Sequence, residues 1–107
     1  MWAQLIKTRI KPGMEGNLPV LAQLLRDTEQ PDSGLVRSAI FLDQNDPGQM
    51  YFLVIFESEE RARAREEDER RNDGLAMARA LMAETFDGAP EFVDLVVAEE
   101  WSPERAR

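Results

Sequence analysis

From Met50 to Phe56 the chain reads MYFLVIF, apolar at every position. A strand of this kind has no polar face and needs cover on both sides. The segments around it show cleaner periodicities. In residues 2–10, Trp2, Ile6 and Ile10 share one parity with Gln4 and Thr8, which reads as a strand ending at Lys11-Pro12-Gly13. Leu18, Leu21, Ala22 and Leu25 recur at helical spacing and predict a helix over 18–28. Asn17 stands at its N-cap and Pro19 in its first turn.

Residues 35–42 and 50–57 flank Asn45-Asp46-Pro47-Gly48 and predict a hairpin. Pairing Asp43 with Gln49 puts Val36, Ser38, Ile40, Leu42, Met50, Phe52, Val54 and Phe56 on one face. Leu35, Arg37, Ala39, Phe41, Tyr51, Leu53, Ile55 and Glu57 then share the other. The first set is the cleaner apolar surface and is assigned to the helices.

Ser58 is a candidate cap for a polar helix over 59–72, with Glu59–Arg63, Glu66–Arg70 and Glu67–Arg71 at i, i+4 spacing. After Asn72-Asp73-Gly74, a second helical stripe comprises Leu75, Ala78, Leu81, Met82 and Phe86. Asp87-Gly88-Ala89-Pro90 reads as its end, 91–101 as the last strand, and 102–107 as a loose tail.

The order βαββαβ predicts an α+β, ferredoxin-like fold in one domain spanning 1–107: a four-stranded antiparallel sheet with helices on one face. The third strand lies inside such a sheet, which suits MYFLVIF, because an exposed apolar edge invites aggregation. The uncovered face then predicts a homodimer.

Composition narrows the function. The net charge is −8 and no basic stripe is present, which argues against nucleic acid as a partner. The longest apolar run is far short of the roughly 20 residues of a membrane span, and the first ten residues lack the pattern of a signal peptide, so a cytoplasmic protein is expected. There is no His and no Cys. That removes the usual general base, the commonest zinc and haem ligands, and any Ser-His or Cys-His nucleophile pair, so no cofactor and no metal is expected. The run Glu66-Glu67-Asp68-Glu69, interleaved with arginines, reads as a solvated face.

With Arg9-Ile10-Lys11-Pro12-Gly13 closing the first strand, a Leu-rich helix after it, the turns Pro31–Gly34 and Asp46-Pro47-Gly48, and the junction Phe56-Glu57-Ser58-Glu59-Glu60, the chain resembles the dimeric α+β barrel superfamily. The likeness is to its antibiotic-biosynthesis-monooxygenase-like domains and covers nearly all of residues 2–101. The resemblance implies a homodimer of face-to-face sheets, with a cavity in each subunit between sheet and helices. In characterised members that cavity takes polycyclic aromatics, quinols or haem, and some members oxidise their substrate with molecular oxygen alone. Many members carry a His after the aromatic–acidic junction; here the stretch is Arg61-Ala62-Arg63-Ala64-Arg65.

Two classes of function follow. One is a cofactor-independent monooxygenase acting on a planar apolar substrate such as a quinol or polycyclic phenol. The other is a non-catalytic dimeric binding or assembly module. The candidate ligand-binding residues are Phe52, Phe56, Met82 and Phe86, with Met77, as an apolar wall against residues 75–86. Simple core packing is the competing reading for these side chains. Arg37 and Tyr51 on the second face are candidates to orient an anionic or phenolic ligand, or else subunit-interface residues. Trp2 and Trp101 are placed where stacking on a ligand or cover of a sheet edge is open to them.

Overall fold

The structure, a computed structural model, describes residues 1–103. Four strands alternate with helices: β1 (Trp2–Ile10), α1 (Leu18–Thr28), β2 (Leu35–Leu42), β3 (Gln49–Phe56), α2 (Glu59–Glu66), α3 (Glu69–Gly74), α4 (Ala76–Thr85) and β4 (Phe86–Val96). The sheet order is β2-β3-β1-β4, with every neighbouring pair antiparallel. MYFLVIF is therefore an inner strand, as its two apolar faces require.

The hairpin register is the expected one. Asp43 N donates to Gln49 O, and Leu42, Phe41 and Ile40 face Met50, Tyr51 and Phe52. It breaks near the far end. Leu35 lies opposite Phe56 and Arg37 opposite Ile55, so Val36 is an extra residue in a bulge. The bulge exchanges two expected positions. Leu35 packs with the core around Phe56, and Val36 is exposed.

The polar segment after Ser58 also differs from the expected single helix. Ser58 does cap it, its Oγ accepting from Arg61 N at 3.2 Å. The helix nevertheless ends at Glu66, and Asp68 caps a new one by accepting from Arg70 N at 2.9 Å. An Asp side chain that captures a backbone N–H two residues on competes with helix continuation. Of the three expected i, i+4 pairs only Glu59–Arg63 forms, and Arg70 instead pairs with Asp68 and Asp32. Asn17 holds the N-cap position of α1 without capping it; its Nδ2 donates to Thr85 Oγ1 at 3.0 Å and ties α1 to α4.

The last strand begins at Phe86, not at residue 91, and ends at Val96. Gly88, Ala89 and Pro90 lie in an irregularity of the β1–β4 ladder between the Lys7–Glu91 and Arg9–Asp87 pairs. Proline is tolerated there because β4 is an edge strand and the bulge removes the need for its N–H. Trp101 consequently falls beyond the strand and is 85% exposed, whereas Trp2 is buried. The tail expected over 102–107 reaches the described residues only at Ser102 and Pro103, which are irregular and exposed; residues 104–107 lie outside them.

Two apolar clusters form instead of one continuous core. Trp2, Val54, Phe56 and Ala62 pack where α2 meets the end of the sheet, with Leu35 and Phe52 against them. Leu21, Leu75 and Ala78 pack α1 against α4, with Leu25, Leu81, Met82 and Phe86 around them. Between the clusters the middle of the sheet is left open.

Candidate functional site

That opening is a cavity of about 880 Å³. Its floor is the helix-facing side of the sheet, with Trp2, Gln4, Ile6 and Thr8 from β1 and Met50, Phe52, Val54 and Phe56 from β3. Leu21, Ala22 and Leu25 of α1, Met82 and Ala83 of α4, and Phe86 and Phe92 of β4 form the walls. The volume lies in the range of small-molecule sites, about 300–1,000 Å³.

The cavity has two different ends. Phe56 pairs with Trp2 and Met50 with Thr8, so six residues of strand, roughly 20 Å, separate them. At the Thr8 end the wall is neutral, and the buried Thr8 Oγ1 has no hydrogen-bond partner. At the Phe56 end three charged side chains meet. Arg65 donates to Glu29 through Nε, at 3.1 Å to Oε1 and 3.0 Å to Oε2, and through Nη2 at 2.7 Å to Oε1. Its guanidinium carbon lies 5.2 Å from the centre of the Phe56 ring, within cation–π range. Arg71 is the third member. It is half-buried, and its Nε is buried without a partner.

Electrostatics at this end follow from burial and spacing. Burial is the largest single effect on Glu29 and would raise its pKa. The hydrogen bonds from Arg65 and Ser33, with the charges of Arg65 and Arg71, together outweigh it and hold the carboxyl below its ordinary value. Arg71 is pushed below the usual guanidinium range, first by burial and then by the neighbouring charge of Arg65.

Of the residues singled out in the sequence, Phe52, Phe56, Met82 and Phe86 all line this one cavity. Met77 does not; it points outward and is 70% exposed. Arg37 and Tyr51 lie on the opposite face of the sheet, paired in register with Ile55 and Phe41. The Tyr51 hydroxyl donates to Asp43 Oδ2 at 2.9 Å, and that bond raises the phenol pKa, with burial and the charge of Asp43 acting the same way. Arg65 and Arg71 were hidden in what reads as a polar, solvated segment, and Glu29 in the chain that follows α1. The signal was Ala62, the single buried residue of α2. Arg65 and Glu66 follow it at i+3 and i+4, on the same helix face, and both border the cavity. The acidic run 66–69 does not gather into a metal site: Glu66 pairs with Arg63 and Asp68 with Arg70. Among the described residues no three His, Cys, Asp or Glu side chains converge as metal ligands.

No protein-family model and no curated protein matches this sequence. Solved structures do match in fold. One is an MhuD variant with two manganese protoporphyrin IX molecules bound per active site: 12% identity, TM-score 0.78, 96% of this chain and 100% of that one. Another is Rv0793 from Mycobacterium tuberculosis: 14% identity, TM-score 0.70, 94% and 98%. A third is described as an antibiotic biosynthesis monooxygenase: 19% identity, TM-score 0.66, 92% and 100%. At these identities the likeness is one of fold, and at that level the resemblance read from the sequence holds: the chain has the ferredoxin-like α+β fold of antibiotic-biosynthesis-monooxygenase-like proteins.

Proposed function

We propose that this protein binds a planar, largely apolar small molecule of quinol or polycyclic-phenol type in the cavity between its sheet and helices. The observation that carries this reading is the cavity itself. A close-packed interior leaves few voids larger than a water molecule, and buried polar atoms without partners are rare. Here a cavity of about 880 Å³ coincides with both buried unpartnered side-chain atoms found among the described residues, Thr8 Oγ1 and Arg71 Nε. Phe52 and Phe56 on the floor and Phe86 on the wall give this cavity an aromatic lining.

The reaction such a ligand would undergo is oxidation by molecular oxygen without metal or flavin. In the simplest balance the ring C–H opposite a phenol hydroxyl becomes a quinone carbonyl, and the hydrogens of that C–H and of the hydroxyl leave with the second oxygen atom as water. The monooxygenase description of one structural neighbour supports this class. The porphyrin of another extends the ligand range to large flat molecules, but this chain has no His or Cys to hold the iron of a haem. A second reading, a non-catalytic binding module, is favoured by one specific observation. Glu29, a carboxylate at the cavity wall, is clamped by Arg65 and held ionised, which unfits it to act as a general acid or base near neutral pH.

The proposed assembly is a homodimer through the other sheet face, where Phe41 and Leu95 are exposed and Leu53 is partly so. Thermal melts with a panel of quinols and polycyclic phenols, followed by oxygen uptake with each stabilising compound, test the function. Stabilisation with oxygen uptake supports the monooxygenase. Stabilisation without uptake supports the binding module. No stabilisation by any compound counts against both.

A further inference from the structure

Arg71 stands apart from the other charged groups at the cavity. Arg65 spends Nε and Nη2 on both oxygens of Glu29, leaving that carboxylate no need of a second cation. Arg71 has no carboxylate within ion-pair distance among the described residues, although it belongs to the cavity wall. At this end two guanidinium charges, Arg65 and Arg71, face one carboxylate, Glu29, an excess of one positive charge. Arg26 and Glu66 also border the cavity but are exposed, and Glu66 pairs with Arg63. A protein of net charge −8 thus places a half-buried arginine, its Nε without a partner, on the wall of this cavity. An N–H buried without a partner is unfavourable. A planar guanidinium is the side chain best matched to an oxyanion.

We propose that Arg71 is the anion receptor of the cavity, and that its ligand is a planar apolar body carrying one oxyanion, a carboxylate or an ionised phenol or enol. The inference rests on the reading of the cavity as a ligand site and adds the charge of the ligand. The apolar body lies along Phe52 on the sheet floor, with the oxyanion accepting from the guanidinium of Arg71.

The test compares two probes of one shape, naphthalene-2-carboxylate and naphthalene-2-carboxamide, titrated calorimetrically into the wild-type protein and Arg71→Met. The expected result is at least a tenfold preference of the wild type for the carboxylate. That preference disappears in Arg71→Met while amide binding persists. If both probes bind the wild type equally, or the preference survives in the variant, the receptor assignment is overturned and the cavity reading stands. If neither probe binds, both are overturned. Should Arg71→Met fail to fold, the Arg71 Nε–H resonance of the wild type decides instead. It moves with the carboxylate and not with the amide if the assignment is right; an unmoved resonance on carboxylate binding overturns it.

Discussion

Arg65 and Glu29 lie 36 residues apart in sequence and form a two-pronged ion pair, with three N–H···O contacts between 2.7 and 3.1 Å. The pair joins α2 to the residue that follows α1, and so closes one end of the cavity. The side chains are 14% and 20% exposed, intermediate between a surface pair and a fully buried one.

Removing one partner should therefore cost more than the 0–1 kcal/mol of a surface pair and less than the 3–5 kcal/mol of a buried one. Allowing for solvent screening, Glu29→Gln is expected to lose about 1–2 kcal/mol in urea unfolding at pH 7. The pH dependence has a definite sign. The folded pKa of Glu29 is depressed, so its contribution is complete above the unfolded-state value of about 4.3 and fades as pH falls through the lower folded value. Wild type and Glu29→Gln should thus converge in stability as pH falls from the unfolded-state value through the lower folded one. A difference that is constant from pH 7 to pH 3 would contradict the depressed carboxyl.

Leu53→Asp should convert the proposed dimer to monomer. Leu53 sits on β3 between Leu5 and Ala39, on the sheet face opposite the cavity. A carboxylate buried in an apolar interface without a partner is strongly unfavourable. Sedimentation velocity reads the result. A Leu53→Asp protein that sediments as a dimer would place the interface elsewhere.

Phe86→Ala separates a packed wall from a cavity wall. Phe86 is partly buried against Leu21, Leu75 and Ala78, yet it also borders the cavity. With open space on one side it has fewer neighbours to lose, so the expected cost is about 2 kcal/mol, short of the 3–5 kcal/mol of a fully enclosed Phe. Chemical denaturation measures it. A loss above 3 kcal/mol would show that Phe86 acts as a closed core residue.

Most of the fold was legible because it follows from periodicity. The boundaries of β1, α1 and β2 and the hairpin register match the pattern of apolar positions. The misreadings share one cause: local punctuation was overridden, or created, by hydrogen bonds that periodicity does not encode. Gly88 and Pro90 look like a loop, but an edge strand absorbs them in a bulge. Val36 looks inward, but a bulge turns Leu35 in instead. Asp68 sits in a run of good helix formers and breaks it by capping. At the site, the apolar wall of Phe52, Phe56, Met82 and Phe86 could be read from spacing. The charged end could not be read by treating 59–72 as one helix. Arg71 belongs to α3, and its direction depends on the break at Asp68.

The central claim is that the space between sheet and helices holds a flat ligand, and the methionine methyl groups report on it directly. Met50 and Met82 line the cavity, while Met77 projects into solvent from the same helix as Met82. In a protein with carbon-13-labelled methionine methyls, titration with naphthalene-2-carboxamide should shift Met50 and Met82 through ring currents and leave Met77 in place. Resonances of Met50 and Met82 that stay fixed at saturating ligand, or that move no more than Met77, would contradict the account.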